Sequence, residues 1–224
     1  MAQLTEHRVF GSDKRPTIYY IVGFRARISQ FLLSIWVLRL AGYRIVAFQV
    51  DPSVLTVGDP KLLGKSLDEL MDIVRRDMAG RKVAGTYGIS LGSFFALNIL
   101  TLEGVDRIFM NTGGGSVLQA VWEMPVLLPE RQAFERNGYS RQEVGTYWNP
   151  IDISQNIHRI AGKTMLANAS YADEYIPIKD VLRHIDEWQA AGVKAQIILV
   201  KHLSHLWLIV TTLLKFRKTV RYFR

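Results

Sequence analysis

Short apolar runs alternate along the chain with longer segments in which apolar residues recur at helical spacing. The short runs, which predict strands, are 17–22, 43–50, 82–86, 107–111, 164–168 and 195–200. The longer segments, which predict helices, are 28–40, 66–78, 91–102, 178–191 and the residues from 206 onward. Because strands separated by helices need crossover connections, the pattern predicts a mostly parallel sheet covered on both faces. The predicted fold class is a single three-layer α/β domain over 1–224.

The segment 117–149 interrupts this alternation. It is rich in large apolar side chains, and its prolines limit the length of any helix. Ligands of open α/β sheets bind at the carboxyl ends of the strands. We therefore expect a small cap there, with Trp122, Met124 and Trp148 supplying walls of a substrate pocket. The alternative is that the segment is one more packing layer.

The sequence 88–92 reads Gly88-Ile-Ser90-Leu-Gly92, between a predicted strand and a predicted helix. A tight strand-turn-helix of this kind exposes the serine hydroxyl as a nucleophile, and glycines on either side let helix and strand approach closely. The alternative is a turn that merely joins strand to helix.

A serine hydroxyl needs a base that is held by a third group. In this chain order the acid should follow a later strand and the histidine should follow the last one. Asp173 lies beyond the run 164–168, and His205 lies beyond the run 195–200, so both are predicted at the same sheet edge as Ser90.

Other residues compete for these two roles. His202 is nearer the end of its strand than His205 and stays an alternative, and Glu174 adjoins Asp173. Asp152 precedes the strand that would deliver the acid, so we expect it near the opposite edge. Of the remaining histidines, His7 is expected to precede the sheet, whereas His158 and His184 fall before a strand and inside a helix.

These residues resemble the α/β-hydrolase superfamily, and the resemblance runs from about Ile18 to the C-terminus. Val22-Gly23-Phe24 is similar to the turn after the third strand of that superfamily, although Val22 stands where histidine is usual. The resemblance implies that the backbone amides of Phe24 and Leu91 form an oxyanion hole and that Gly23 adjoins the substrate.

The reaction expected from this set is acyl transfer to water. A carboxylesterase or lipase-like hydrolase of a small-molecule acyl ester is the leading interpretation. A thioesterase or lysophospholipase that meets an anionic substrate or a membrane is the second. A non-catalytic hydrolase fold that binds a ligand or a protein is the alternative from another class.

Composition narrows the remaining choices. The 224 residues include no cysteine, which excludes disulfide scaffolds and cysteine-ligated metal sites, and no cofactor or metal is implied. The first residues lack the apolar core of a signal peptide, and the longest uncharged stretch, 83–102, contains three glycines, so no spanning helix is expected. A cytoplasmic location is the expectation.

The net charge of +8 is concentrated at the C-terminus. Residues 201–224 include six Lys or Arg and no acid, and no nucleic-acid-binding module is recognisable, so no nucleic-acid partner is predicted. We expect a docked helix with a solvated basic end. The alternative is peripheral contact of this segment with an anionic membrane surface.

Overall fold

The computed structural model describes residues 5–154, 156–214 and 216–224, and of residues 213, 214 and 216 only the backbone. Its centre is a seven-stranded sheet in the order β1-β3-β2-β4-β5-β6-β7. The strands are β1 Thr5–Phe10, β2 Thr17–Ile21, β3 Arg44–Val50, β4 Val83–Ile89, β5 Arg107–Asn111, β6 Thr164–Ser170 and β7 Lys194–Val200. All neighbouring pairs are parallel except β1 and β3.

The predicted parallel sheet is confirmed, and the pattern missed only its antiparallel edge strand. The expectation that His7 precedes the sheet is wrong, because His7 lies in β1 opposite Phe48. Most side chains of β1 are exposed, and polar exposed residues are common on edge strands, so no run of apolar residues marks it. The central strand β4 continues to Ile89, which brings its end directly to Ser90.

Helices cover both faces of the sheet. They are α1 Leu32–Leu40, α2 Ser53–Thr56, α3 Lys61–Met78, α4 Gly92–Leu100, α5 Val117–Glu123, α6 Leu128–Arg136, α7 Arg141–Trp148, α8 Ile178–Ala190, α9 His205–Leu214 and α10 Phe216–Phe223. Short 3₁₀ turns occupy Ile28–Phe31, Pro125–Leu127, Asn149–Ile151 and Ile157–Ile160. No helix in the described part of the chain combines the length and the apolar character needed to cross a bilayer.

Two apolar cores lie on opposite faces of the sheet. Side chains of α3 to α8 pack on one face, and those of α1, α9 and α10 pack on the other. On the second face the rings of Tyr20, Tyr87 and Phe109 stack in a row, with centroids 4.6 and 4.9 Å apart. Burial of such large rings stabilises the fold through the apolar surface that they remove from water.

A buried ion pair ties β3 to α3. The Arg44 side chain is 4% exposed, and its two terminal nitrogens donate to the two Asp77 oxygens at 2.7 and 2.6 Å. The hydroxyl of Tyr19 donates to the same carboxylate at 3.1 Å. Burial by itself would raise the pKa of Asp77, but the Arg44 guanidinium and the Tyr19 hydroxyl outweigh it and hold that pKa below its ordinary value.

Candidate active site

Ser90 sits on the sharp turn between β4 and α4. Its φ of +53° lies in the left-handed region, where few residues other than glycine are found. The turn explains the two flanking glycines: a Cβ on Gly88 would lie 2.4 Å from the Ser93 Cα, and one on Gly92 would lie 2.3 Å from the Ile21 carbonyl oxygen. The backbone N–H of Ser90 donates to the Asn111 carbonyl at 3.0 Å and anchors the turn to β5.

His205 and Asp173 form a close, shielded pair. His205 Nδ1 lies 2.9 and 2.8 Å from the two Asp173 carboxylate oxygens, and the two side chains are 9% and 3% exposed. The carboxylate can only accept, so Nδ1 carries the proton and Nε2 is the basic nitrogen. Nε2 is 3.5 Å from Thr112 Oγ1, which donates its own proton to the Asn111 carbonyl at 2.6 Å. The lone pair of Nε2 is therefore available.

The three residues that follow Asp173 hold this pair in place. Backbone N–H groups of Tyr175 and Ile176 donate to Asp173 Oδ1 at 2.9 and 3.0 Å. Glu174 accepts the backbone N–H of His205 at 3.0 Å, which fixes the first residue of α9, and the Tyr175 ring lies 4.8 Å from the His205 ring. Tyr175 and Thr112 were not expected from the sequence, because only the folded chain brings them to the histidine.

The structure also places the other residues that were weighed for the roles of acid and base. His202 is exposed on the turn before α9, whereas His158 lies in a 3₁₀ turn before β6 and His184 inside α8. The expectation that Asp152 lies near the opposite edge is wrong. Its buried carboxylate interacts with the hydroxyl of Ser116, a residue that follows β5 at the edge where Ser90 lies.

The turn 22–25 approaches Ser90 closely. A Cβ on Gly23 would lie 3.2 Å from the Ser90 Cβ, so any larger residue there would press on the turn that holds Ser90. The backbone N–H groups of Phe24 and Leu91 donate no hydrogen bond within the described residues. Arg25 follows with φ +59°, and its guanidinium donates at 2.7 Å to Glu130, whose side chain is buried in α6. This ion pair joins the turn to the segment 117–149.

Ser90 lies where two cavities meet. One is a cleft of about 550 Å³, and Gly23, Arg25, His205 and Leu206 are among the residues that line it. The other is a narrow apolar arm of about 60 Å³ that runs under α5 beside Leu91. Phe24, Leu127 and Tyr175 line both. A molecule bound at Ser90 would therefore extend in two directions, one roomy and one confined.

The segment 117–149 contributes to these walls through smaller residues than the sequence suggested. Val117, Ala120, Val121 and Leu127 line the narrow arm. None of the predicted substrate-binding residues of this segment lines the cleft or the arm: Trp122 and Met124 pack partly buried against the core. Trp148 is fully buried against Phe134, and its Nε1 donates to the Pro60 carbonyl at 2.9 Å.

A buried polar cluster supports the floor of the narrow arm. The residues 113–115 form part of that floor, and the cluster lies behind them. Asp180 Oδ2 accepts the backbone N–H of Ser116 at 2.9 Å, and His184 Nδ1 donates to the Gly114 carbonyl at 2.9 Å. Burial raises the pKa of Asp152, against the opposing effect of its hydrogen bonds from Ser154 and Ser116. The sequence analysis did not find this floor, although three consecutive glycines close after a predicted strand could have indicated it.

No group of three or more His, Cys, Asp or Glu side chains in the described ranges is arranged to hold a metal ion.

No family model matches the chain, and no curated protein does either. Solved structures do match. Pyrococcus horikoshii acylaminoacyl peptidase is similar with a TM-score of 0.73 and 12% identity, over 95% of this chain and 37% of that chain. The chain thus spans little more than a third of the peptidase.

Two smaller proteins are similar over nearly their whole length. Paleococcus ferrophilus monoacylglycerol lipase has a TM-score of 0.65 and 14% identity, over 98% of both chains. Thermogutta terrifontis esterase 2, phosphonylated by sarin, has a TM-score of 0.68 and 14% identity, over 96% of this chain and 88% of that chain. This chain has the α/β-hydrolase fold. Ser90 and His205 lie at the carboxyl edge of the sheet of that fold, as the chain order predicted.

Proposed function

We propose that the protein is a serine hydrolase that cleaves carboxylic esters through Ser90, His205 and Asp173. One observation carries the proposal above all others. A histidine held by a buried carboxylate lines the same cleft as a serine on a left-handed turn. A turn that merely joined a strand to a helix would need neither the strain at Ser90 nor the shielded histidine.

In the proposed reaction, His205 Nε2 takes the hydroxyl proton as Ser90 Oγ attacks the ester carbonyl carbon. The N–H groups of Phe24 and Leu91 stabilise the negative charge that develops on the carbonyl oxygen, and Asp173 stabilises the imidazolium. Collapse of this intermediate expels the alcohol, which takes the proton from His205. Water then attacks the acyl-enzyme with His205 as base, so that the carboxylic acid leaves and Ser90 is restored.

The shape of the site supports an ester with two unlike sides. The cleft of about 550 Å³ has room for a long apolar group, whereas the arm of about 60 Å³ admits only a small one. We propose that the segment 117–149 acts as a small cap, because its residues form the roof of the arm and its Glu130 is joined to Arg25.

A series of p-nitrophenyl esters with acyl chains of increasing length tests the proposal, together with labelling by a fluorophosphonate located by peptide mass spectrometry. We expect turnover, with the label on Ser90. Ser90→Ala should lose more than about 10³-fold in kcat/KM and take no label, since the nucleophile is gone. The exposed Ser12→Ala is the matched control and should behave as the wild type.

A second pair of variants separates the two histidines. His205→Ala should lose activity to a similar extent, whereas His202→Ala should retain it, because His202 is exposed and the histidine bonded to Asp173 is His205. Turnover that survives Ser90→Ala would refute the proposal. Labelling of Ser90 without turnover of any p-nitrophenyl ester would move the substrate to a thioester or a lysophospholipid. Neither labelling nor turnover would favour the non-catalytic binding module.

A further inference from the structure

The helices on one face of the sheet expose an unusual number of large apolar side chains. These helices are α1, α9 and α10, which share one core beneath them. Leu33, Trp36 and Leu40 on α1 and Leu206 and Trp207 on α9 are between 54% and 67% exposed. Isolated exposed leucines are ordinary on protein surfaces, but a concentration on one layer marks an interaction site.

The segments that build this layer contain cations and no acids. The segments that build it, 25–43 and 201–224, hold nine Lys or Arg and no Asp or Glu. The rest of the chain has 19 Lys or Arg and 20 Asp or Glu, so the net positive charge of the protein resides on this face. Among the described side chains, Arg27, Arg39, Arg217, Lys218 and Arg221 are exposed. An anionic partner complements this surface.

The cleft that holds Ser90 borders this layer. Phe31, which precedes α1, and Leu206 and Val210 of α9 line the cleft. On α1 itself, Leu32, Leu33 and Trp36 border a separate shallow depression of about 380 Å³. A surface that met this layer would therefore lie beside the entrance to the cleft.

We infer that the α1–α9–α10 layer docks on a bilayer that contains anionic lipid, and that the cleft receives lipid esters from that bilayer. The second part rests on the proposed function, whereas the docking does not. Leucine and tryptophan next to Lys and Arg are the residues that lie in a membrane interface, where the apolar side chains enter and the cations meet head groups.

The charge argues against the obvious competitor, a second copy of the chain. In a twofold dimer through this layer, the cations of one copy would face those of the other without an acid in either segment. Facing like charges are unfavourable at an interface. A nucleic acid is also a poor partner, because the exposed leucines would make no favourable contact with its phosphate backbone. Their transfer from water into the hydrocarbon boundary of a bilayer is favourable.

Flotation with vesicles tests the docking without reference to catalysis, because the Ser90→Ala protein is used. We expect it to float with vesicles of phosphatidylcholine and phosphatidylglycerol, and much less with phosphatidylcholine alone. Arg217→Glu with Lys218→Glu should weaken binding about 30-fold or more, since each cation near an anionic surface contributes about 1 kcal/mol. The matched control, Lys65→Glu with Arg76→Glu, changes the net charge by the same amount on the opposite face of the sheet. The control variant should bind the anionic vesicles much more tightly than the Arg217→Glu, Lys218→Glu variant.

A second set of variants tests the apolar part. Leu33→Ser with Leu40→Ser should weaken binding to the anionic vesicles, whereas Val57→Ser with Leu128→Ser, also exposed but away from the layer, should not. The inference is wrong if test and control pairs lose binding equally, if neutral vesicles bind as well as anionic ones, or if the protein forms dimers and leaves vesicles unbound. Vesicle binding without any ester hydrolysis would keep the docking surface and refute the proposed function. Hydrolysis of soluble esters without vesicle binding would keep the proposed function and refute the docking surface.

Discussion

Replacement of Asp180 by alanine should destabilise the fold strongly, because this carboxylate holds the floor of the narrow arm. The Asp180 side chain is fully buried at the start of α8 and accepts the backbone N–H of Ser116 at 2.9 Å. A hydrogen bond to an ionised group contributes about 1.5–3 kcal/mol. The charge near the helix N-terminus adds about 0.3–1 kcal/mol. The partner Arg183 is half-exposed and regains water, so its ion pair contributes only about 0–1 kcal/mol.

We therefore expect Asp180→Ala to lower the free energy of unfolding by about 2–5 kcal/mol, with the buried N–H of Ser116 left without an acceptor. Urea unfolding measures this loss of stability, and the m-value, the slope of the free energy of unfolding against urea concentration, should not change. In a domain of this size the melting temperature should fall by about 2–4 °C per kcal/mol. Asp186→Ala is the matched control, since Asp186 is exposed on the same helix. A difference between the two variants of less than about 0.5 kcal/mol would refute the reasoning.

Three further predictions concern the site and the fold. Asp173→Asn should lower kcat by about 10³–10⁴-fold with little change in melting temperature, because His205 loses the carboxylate that stabilises its charged form. Ala120→Leu adds three carbons to an arm of about 60 Å³. In esters varied at the acyl group or in esters varied at the alcohol group, kcat/KM should therefore fall about tenfold or more for the larger members of one of these two series. An equal effect on esters of all sizes would contradict this prediction. Asp77 has a lowered pKa, so its contribution to stability is present above the ordinary carboxyl pKa of about 4 and is lost as pH falls below it. Urea unfolding of Asp77→Asn should accordingly show lower stability at neutral pH and a weaker decline in acid; a wild-type acid dependence would contradict this.

The parallel strands could be predicted from the sequence because buried strands are almost entirely apolar. Strand β3, for example, is buried along most of its length and reads as an uninterrupted apolar run between Arg44 and Gln49. The edge strand β1 could not be found this way, because four of its side chains are exposed and its residues are mostly polar. Its pairing with β3 is a contact between residues about 40 positions apart, which local patterns do not report.

For the site, chain order predicted where residues lie, but it did not predict in which direction their side chains point. Chain order places Asp173 and His205 after consecutive strands, so their common sheet edge follows from topology alone. The direction of a side chain within an irregular segment does not follow from composition. Trp148 was one of the two tryptophan candidates in 117–149, yet it packs inward, whereas the small Ala120 faces the arm. Asp152 was misplaced for a related reason: it lies in the irregular segment between α7 and β6, and chain order does not give the path of such a segment.

The left-handed conformation of Ser90 lowers the stability of the fold at the residue that the proposed reaction needs as its nucleophile. A glycine there would relieve a backbone strain of about 1 kcal/mol or more and would keep every backbone hydrogen bond of the turn. A library of variants selected only for resistance to heat should therefore accumulate glycine at position 90. Selection for ester cleavage should retain serine, so the residue recovered under each regime reports whether activity or stability has shaped this turn.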